Sequence, residues 1–552
     1  MRRATSSPPG PDGARGRVCV IGGGIAGLAT AALLAADGWT VELLEQRSEL
    51  GGRAGSWSAD GFRFDTGPSW YLMPEVFEHF FNLLGTSAAQ TLDLRRLDPG
   101  YRVFFEGESD PVDIRAGREA NITTFERVEP GAGAALEAYL DSADEAYRIA
   151  VQHFLYTSYQ QGTDLLRGDL LRRAHRLLPL LVRSLDRHVA GRFSDRRLRQ
   201  ILGYPAVFLG GSPQRIPALY HLMSRMDLDD AVLYPYGGFT TLIDAVADLA
   251  RRHGVTVRTG VTVTGIETAP RAPQRRLART TARVRGVRYR DMEGNTGHSD
   301  ADVVVGAIDL HHLETQLLPR ELQTYPESYW RRRDPGPGAV LIYLGVRGEL
   351  PQLAHHSMFF TRDWQANFDD VLGKTRKVPE PASSYVCRPS ATDPTVAPDG
   401  SENLFVLVPV PADIGLGRGG PARTGDAVIE SIADAAIGQI AHWAGIPDLA
   451  DRIVVRRTVG PGDFAADLNA WSGGALGPGH SLRQSAFFRT GNASKKVDGL
   501  LYSGSTTIPG IGLPMCLISA ELVLKRLRGN RTGGAITGPV VDDGVPDGRG
   551  LR

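Results

Sequence analysis

The residues best suited to chemistry lie in two glycine-bearing clusters at opposite ends of the chain. The first is Gly22-Gly23-Gly24-Ile25-Ala26-Gly27, set between the apolar runs 18–21 and 40–44, with Glu45 closing the second run. Gly22 permits a tight turn, Gly24 lets a pyrophosphate approach the main chain, and Gly27 lets the following helix pack on the strand. The helix expected over 25–36 aims its N-terminal amides at the phosphates. Glu45 is placed to accept from ribose hydroxyls, which points to an unphosphorylated ribose and so to NAD or FAD. Gly51 and Gly52 allow the main chain to run beside a nucleotide, and Arg53 adds a fixed charge with a planar donor fork. The second cluster runs from Gly504 to Pro514, Gly-Ser-Thr-Thr-Ile-Pro-Gly-Ile-Gly-Leu-Pro, ahead of a helix expected over 515–526. A flavin gains negative charge at its N1–C2=O edge on reduction, and a helix N-terminus above Gly504 stabilises that charge. Thr506 and Thr507 are capping residues or neighbours of the flavin.

The elements that must position these clusters come from three separated blocks. Strands are expected at 17–21, 40–44, 254–260, 261–267, 284–290, 301–307 and 499–504, with helices at 74–84 and from Phe239 to about His253. The expected division is a tail over 1–16, a nucleotide domain assembled from 17–125, 229–310 and 461–528, a helical section over 126–228, a substrate domain over 311–460, and a disordered tail over 529–552. The 552 residues suffice for two domains and a large core. Lys+Arg and Asp+Glu both number 62, so no global field favours nucleic acid. Cys19, Cys387 and Cys516 are scattered, which argues against a zinc site or a disulfide framework and fits a reducing compartment. The apolar run near the N-terminus is broken by Gly22, Gly23, Gly24 and Gly27. It reads as a strand and helix rather than as a signal peptide or membrane span.

The fingerprint followed by Gly51-Gly52-Arg53 resembles the flavin-binding amine oxidase and carotenoid desaturase superfamily. Further stretches sharpen this: Phe64-Asp65-Thr66-Gly67-Pro68-Ser69-Trp70-Tyr71-Leu72-Met73-Pro74, Phe208-Leu209-Gly210-Gly211-Ser212-Pro213, Tyr234-Pro235-Tyr236-Gly237-Gly238, His355-His356, Pro389-Ser390 with Asp393-Pro394, and the 504–514 segment. Over about residues 17 to 527 the chain is similar to bacterial-type phytoene desaturases of the carotenoid and retinoid flavoprotein family. The resemblance implies an α/β fold: a Rossmann-type FAD-binding domain interleaved with a mixed α+β substrate domain carrying a helical membrane-facing section, an amine-oxidase and GDI-like architecture. It implies FAD held by Gly22, Gly24, Ile25, Ala26, Gly27, Glu45, Gly51, Gly52, Arg53, Gly67, Pro68, Ser69, Trp70, Val263, Gly504, Ser505, Gly512, Leu513 and Pro514, and no metal. Many relatives carry His or another polar residue where this chain has Ile508, so a proton acceptor at that position is not expected here.

Stepwise introduction of carbon–carbon double bonds is the implied activity, most directly on phytoene to give products such as lycopene. Removing a hydride from an allylic C–H leaves a cation that acidifies its neighbouring carbon, so a strong base is not essential. The flavin takes the hydride while the protein binds and aligns. Arg53, Asp65, Thr506 and Thr507 are the candidates near the flavin. Asp65 is weighted toward anchoring its Gly-Pro turn, and His355 and His356 toward packing roles. The long apolar substrate is expected to come from the bilayer through an apolar tunnel. Leucines and arginines alternate over 165–198, with Pro179 as a break, which reads either as a basic amphipathic docking element or as a solvated helix face. A cytoplasmic protein peripherally attached to the membrane is expected, with oxygen or a quinone as electron acceptor. Three alternatives remain open: a sibling diapophytoene, hydroxycarotenoid or ketolase-type enzyme, a flavin-free prenyl-binding escort protein, and an amine oxidase with a short pocket.

Overall fold

The computed structural model describes residues 15–158, 179–271, 280–481, 484–485 and 488–540. Its first body is a five-stranded parallel sheet in the order Leu500–Tyr502, Val303–Gly306, Arg17–Ile21, Thr40–Leu44, Thr256–Arg258. The strand Arg17–Ile21 is buried from Val18 onward because both faces of the sheet are covered. One face packs on the helices Ile25–Ala36, Phe239–Arg252 and Leu513–Leu527 in a single apolar core with Pro74–Leu83. The other face packs on an antiparallel set, Thr262–Pro270, Ala282–Arg290 and Thr296–Asp300, through Val263, Ile266, Val284 and Val287. Strands from residues 17–44, 256–306 and 500–502 therefore meet in one sheet.

The second body is a seven-stranded sheet: Ile453–Val459, Pro337–Arg347, Ser401–Pro411, Ser384–Cys387, His356–Phe360, Tyr101–Phe105, Val112–Ile114. Pairing is antiparallel throughout except between His356–Phe360 and Tyr101–Phe105. The helix Ala427–Trp443 packs on this sheet through Ile429, Ile437 and Ile440. The strands at 101–114 correct the expected boundary at residue 125, since they belong to the substrate-side sheet. Their local pattern marks strands, but their partners lie some 250 positions away in the chain, at Ser357 to Phe360.

Two further expectations change. The chain beyond Arg528 is docked as far as Val540: Lys525 Nζ donates to Thr532 and Gly534 carbonyls at 2.7 Å each, and Val540 N–H donates to Leu83 O at 2.8 Å. Ile536 and Val540 are buried, so two apolar residues in a Gly-rich stretch help to seat it. Of the proposed docking stretch 165–198, residues 165–178 lie outside the described part. Past Pro179 it is not one amphipathic face. Ser184 caps a new helix, Leu185–Ala190, and Leu185 and Leu198 are buried in the protein's own core. Arg196, Arg197 and Arg199 pair with Glu108, Asp195 and Asp186. Among the described residues no helix is long and apolar enough to cross a membrane.

Candidate active site

The two glycine clusters converge. A cavity of about 1390 Å³ is lined at one end by both the 22–26 turn and the 504–514 segment. At Gly504 an added Cβ would sit 3.4 Å from Ala26 Cβ, so the two stretches are in contact. Gly22 has φ +103°. A Cβ on Gly27 would lie 1.9 Å from Gly22 O, so this glycine serves helix–strand packing and does not line the cavity. A Cβ on Gly24 would meet nothing nearer than 3.8 Å, which leaves its main chain open to a ligand.

Glu45 is buried at the cavity wall, and both its oxygens are already engaged: Oε2 accepts from Gly23 N–H at 2.6 Å and Oε1 from Arg47 N–H at 2.8 Å. It braces the glycine turn, and its remaining lone pairs are what a ribose would meet. Gly51, at φ +110°, donates to Gly23 O, which ties the second glycine pair to the first turn. Arg53 donates from Nε to Ala475 O at 3.0 Å, while its buried Nη2 has no partner. Burial lowers the affinity of this guanidinium for its proton, and nearby Asp309 opposes the effect. A Cβ on Gly67 would stand 2.3 Å from Arg53 O, so the Gly67-Pro68 turn is locked against it.

Ile25, Ala26, Gly52, Pro68, Ser69, Trp70, Val263, Ser505, Gly512, Leu513 and Pro514 also line the cavity. Two of the four catalytic candidates do not. Asp65 accepts from Phe239 N–H at 2.9 Å and anchors the start of the helix Phe239–Arg252. Thr507 is turned inward, with Oγ1 bonded to Gly504 O at 3.0 Å and near Ser519 Oγ at 3.2 Å. Thr506 and Arg53 remain at the cavity.

Sequence reasoning missed the residues that hold the 504–511 segment. Arg489 is buried and donates to the carbonyls of Ser505 (2.5 Å), Thr507 (3.0 Å) and Pro478 (3.0 Å). Tying those carbonyls back leaves the opposite face of the segment to the cavity. His480 Nε2 accepts from Ile511 N–H at 3.3 Å, and its Nδ1 lies 3.1 Å from Tyr220 Oη. Neither residue carries a motif, because the atoms they hold on the 504–511 segment are main-chain atoms that no pattern encodes. His355 and His356 are buried. Part of the cavity wall is apolar, formed by Phe154, Leu155, Phe208, Leu222, Met223 and Met226, and it includes exposed Leu181.

The residues fit a flavin dinucleotide. The unpartnered Arg53 Nη2, the open Gly24 main chain and the start of the helix Leu513–Leu527 offer a charge, a phosphate-sized approach and a positive dipole in one cleft. The model of flavin-containing amine oxidoreductases matches residues 25–523, and the chain belongs to that family. Within it the chain stands with the carotenoid desaturases. It is 41% identical over 91% of its length, and 96% of the other chain, to a carotenoid 3,4-desaturase of Haloarcula japonica. It is 34% identical to a zeta-carotene-forming phytoene desaturase of Myxococcus xanthus, with 93% of each chain covered. The fold is shared with an oxidoreductase of Methanosarcina mazei at TM-score 0.57 and 16% identity, covering 92% of this chain and all of that one. Putrescine oxidase shares it at TM-score 0.54 and 14% identity, covering 93% and 99%. A dinucleotide cleft in a flavin-containing family makes the cofactor FAD.

Proposed function

We propose that this flavoprotein introduces carbon–carbon double bonds into a long carotene, starting from phytoene and giving more unsaturated products such as lycopene. The observation that carries this is the continuity of one cavity from the dinucleotide turns to a group of apolar side chains that includes exposed Leu181. A short polar pocket would have favoured an amine. Gly22, Gly24, Gly51, Gly52 and Arg53 would hold the phosphates and ribose of FAD, with Glu45 bracing the turn, and Ser505 to Pro514 would face the isoalloxazine. Bound there, FAD supplies the hydride acceptor. The chain's own part is to align one C–C bond with that acceptor, keep water out and lead the second hydrogen away as a proton.

A second reading is desaturation at the 3,4 position of a carotene that is already unsaturated. The 41% identity to the Haloarcula japonica enzyme favours it. The two readings share the whole site and differ in which stretch of polyene reaches the flavin. Expression in cells that accumulate phytoene, and separately in cells that accumulate lycopene, separates them. New, redder pigment in the first strain supports the phytoene reading, and in the second alone the 3,4 reading. Unchanged pigment in both, with FAD bound, sinks the proposal.

Peripheral membrane attachment belongs to the same proposal, since a hydrocarbon must enter from lipid. Leu181, which lines the cavity, is 38% exposed, and its neighbour Val182 is 79% exposed. Replacing both with Asp is expected to abolish co-flotation with vesicles while leaving FAD content unchanged. Flotation equal to wild type would remove the attachment at this point. Oxygen or a quinone is proposed as the final electron acceptor.

A further inference from the structure

Desaturation releases a proton inside an apolar cavity, and neither Ile508 nor Asp65 is available to take it. One polar line leads out of the cavity wall. Ser69 and Tyr385 both face the cavity, and their hydroxyl oxygens are 2.6 Å apart. Tyr385 Oη is 2.8 Å from Nδ1 of His356, a fully buried imidazole. Trp70 stacks on that imidazole with ring centres 4.5 Å apart, which fixes its plane. His355 meets it edge to face at 4.6 Å. On the far side His355 Nδ1 is 2.8 Å from the hydroxyl of half-buried Thr392. The Nε2 atoms of His355 and His356 are both buried and have no partner.

We propose that Ser69, Tyr385, His356, His355 and Thr392 form the exit path for the proton lost in each desaturation. This rests on the desaturase reading. Tyr385 donates to His356 Nδ1, which places the His356 proton on Nε2. His355 donates from Nδ1 to Thr392, which leaves its own Nε2 as an acceptor. The two orphaned nitrogens are then a donor and an acceptor on rings packed edge to face, and the relay passes the proton between them. When the substrate C–H breaks, its electron pair stays to form the new C=C and the hydride has gone to the oxidised flavin. The proton enters at Ser69 Oγ, each group passes on its own proton, and water beyond Thr392 receives the last. Both imidazoles are held neutral by burial, so neither retains the charge. A weak acceptor suffices, because the carbon beside an allylic cation is strongly acidic.

The test compares the FAD-loaded wild type with Tyr385→Phe, which keeps the ring and removes the hydroxyl, and with Ser69→Ala. Single-turnover flavin reduction by carotene in micelles is expected to slow about 10-fold or more in both variants, with the FAD content of Tyr385→Phe unchanged. The wild type shows a solvent deuterium isotope effect that both variants lack. 15N-histidine spectra of the protein, with or without FAD, give the second readout. One buried imidazole protonated at Nε2 and accepting at Nδ1 is expected, and its Nδ1 signal shifts in Tyr385→Phe. Full-speed reduction in both variants overturns the relay and leaves the desaturase reading standing. A wild type inert toward every carotene, with the histidine signals as described, overturns the desaturase reading and with it the relay. Cys387 Sγ and one nitrogen of each imidazole also lie within 4.8 Å of one another. Stoichiometric metal in the purified holoenzyme, lost in Cys387→Ser, would show a cation site in place of the relay and overturn it.

Discussion

The Nη2 atom of Arg53 and the carboxylate of Asp227 are both buried, yet their charges have opposite reasons to be there. Arg53 leaves Nη2 without a partner at the cavity, the signature of a donor kept for a ligand. A charge-assisted hydrogen bond contributes roughly 1.5–3 kcal/mol. Arg53→Ala is therefore expected to weaken FAD binding about 10- to 100-fold, measured by fluorescence titration of flavin-free protein. Affinity within twofold of wild type would show that Arg53 does not face the cofactor. Asp227 lies away from the cavity lining. Its Oδ2 accepts from Tyr101 at 2.9 Å and Tyr204 at 2.5 Å, and Oδ1 has no partner. Burial raises its pKa to about 6, against the pull of the two tyrosine hydroxyls. The folded state then binds a proton that the unfolded chain releases near pH 4, so stability falls as pH rises from about 4 to 6 and stays lower above. Asp227→Asn keeps an acceptor for both tyrosines and removes the buried charge. A gain of about 1–2 kcal/mol at pH 7.5 that vanishes near pH 4 is expected from denaturant titrations. Equal gains at both pH values would refute the buried-charge account.

At the scale of the element, what could be read in the sequence was what is written in local types and spacing. The strand, three glycines, helix and acid of residues 17–45 announce themselves because each position answers to one steric need, as the 1.9 Å approach to Gly22 O at Gly27 illustrates. The helix after Gly504 is legible for the same reason. The placement of Tyr101–Phe105 was not, since its pairing with His356–Phe360 is decided by packing between segments far apart in the chain. Arg489 was invisible because its acceptors are carbonyls, which every residue has. Its effect on the 504–511 segment is nonetheless testable. Arg489→Gln removes most donors from the carbonyls of Ser505, Thr507 and Pro478. The segment should loosen, with FAD dissociating faster and the bound-flavin absorbance losing its fine structure, while the parallel sheet and its far-ultraviolet circular dichroism are retained. An unchanged flavin spectrum and off-rate would mean that the segment keeps its shape without the clamp.

At the scale of the whole molecule, the C-terminal strap joins segments far apart in the chain into the core of the parallel-sheet body. Lys525 is buried, and its ammonium donates to the carbonyls of Tyr156, Thr532 and Gly534, each at 2.7 Å. Tyr156 follows Phe154 and Leu155 at the cavity wall, so one amine joins the last helix, the strap and the apolar part of that wall. Thr157 Oγ1 donates to Gly533 O at 3.3 Å, and Glu521 Oε1 accepts from Ile536 N–H at 2.6 Å. Ending the chain at Gly529 takes two carbonyl acceptors from a buried cation and uncovers the sites of Ile536 and Val540. A buried charge that loses two of its hydrogen-bond acceptors is destabilising, so the shortened protein should melt below the full chain. Lys525→Met separates the two causes. In the full chain it leaves the three carbonyls facing a thioether and is expected to destabilise. In the shortened chain it removes the stranded charge and is expected to recover part of the lost melting temperature. If Lys525→Met lowers the melting temperature equally in both backgrounds, the strap does not act through the ammonium, and its hold on the molecule is the apolar contact of Ile536 and Val540 alone.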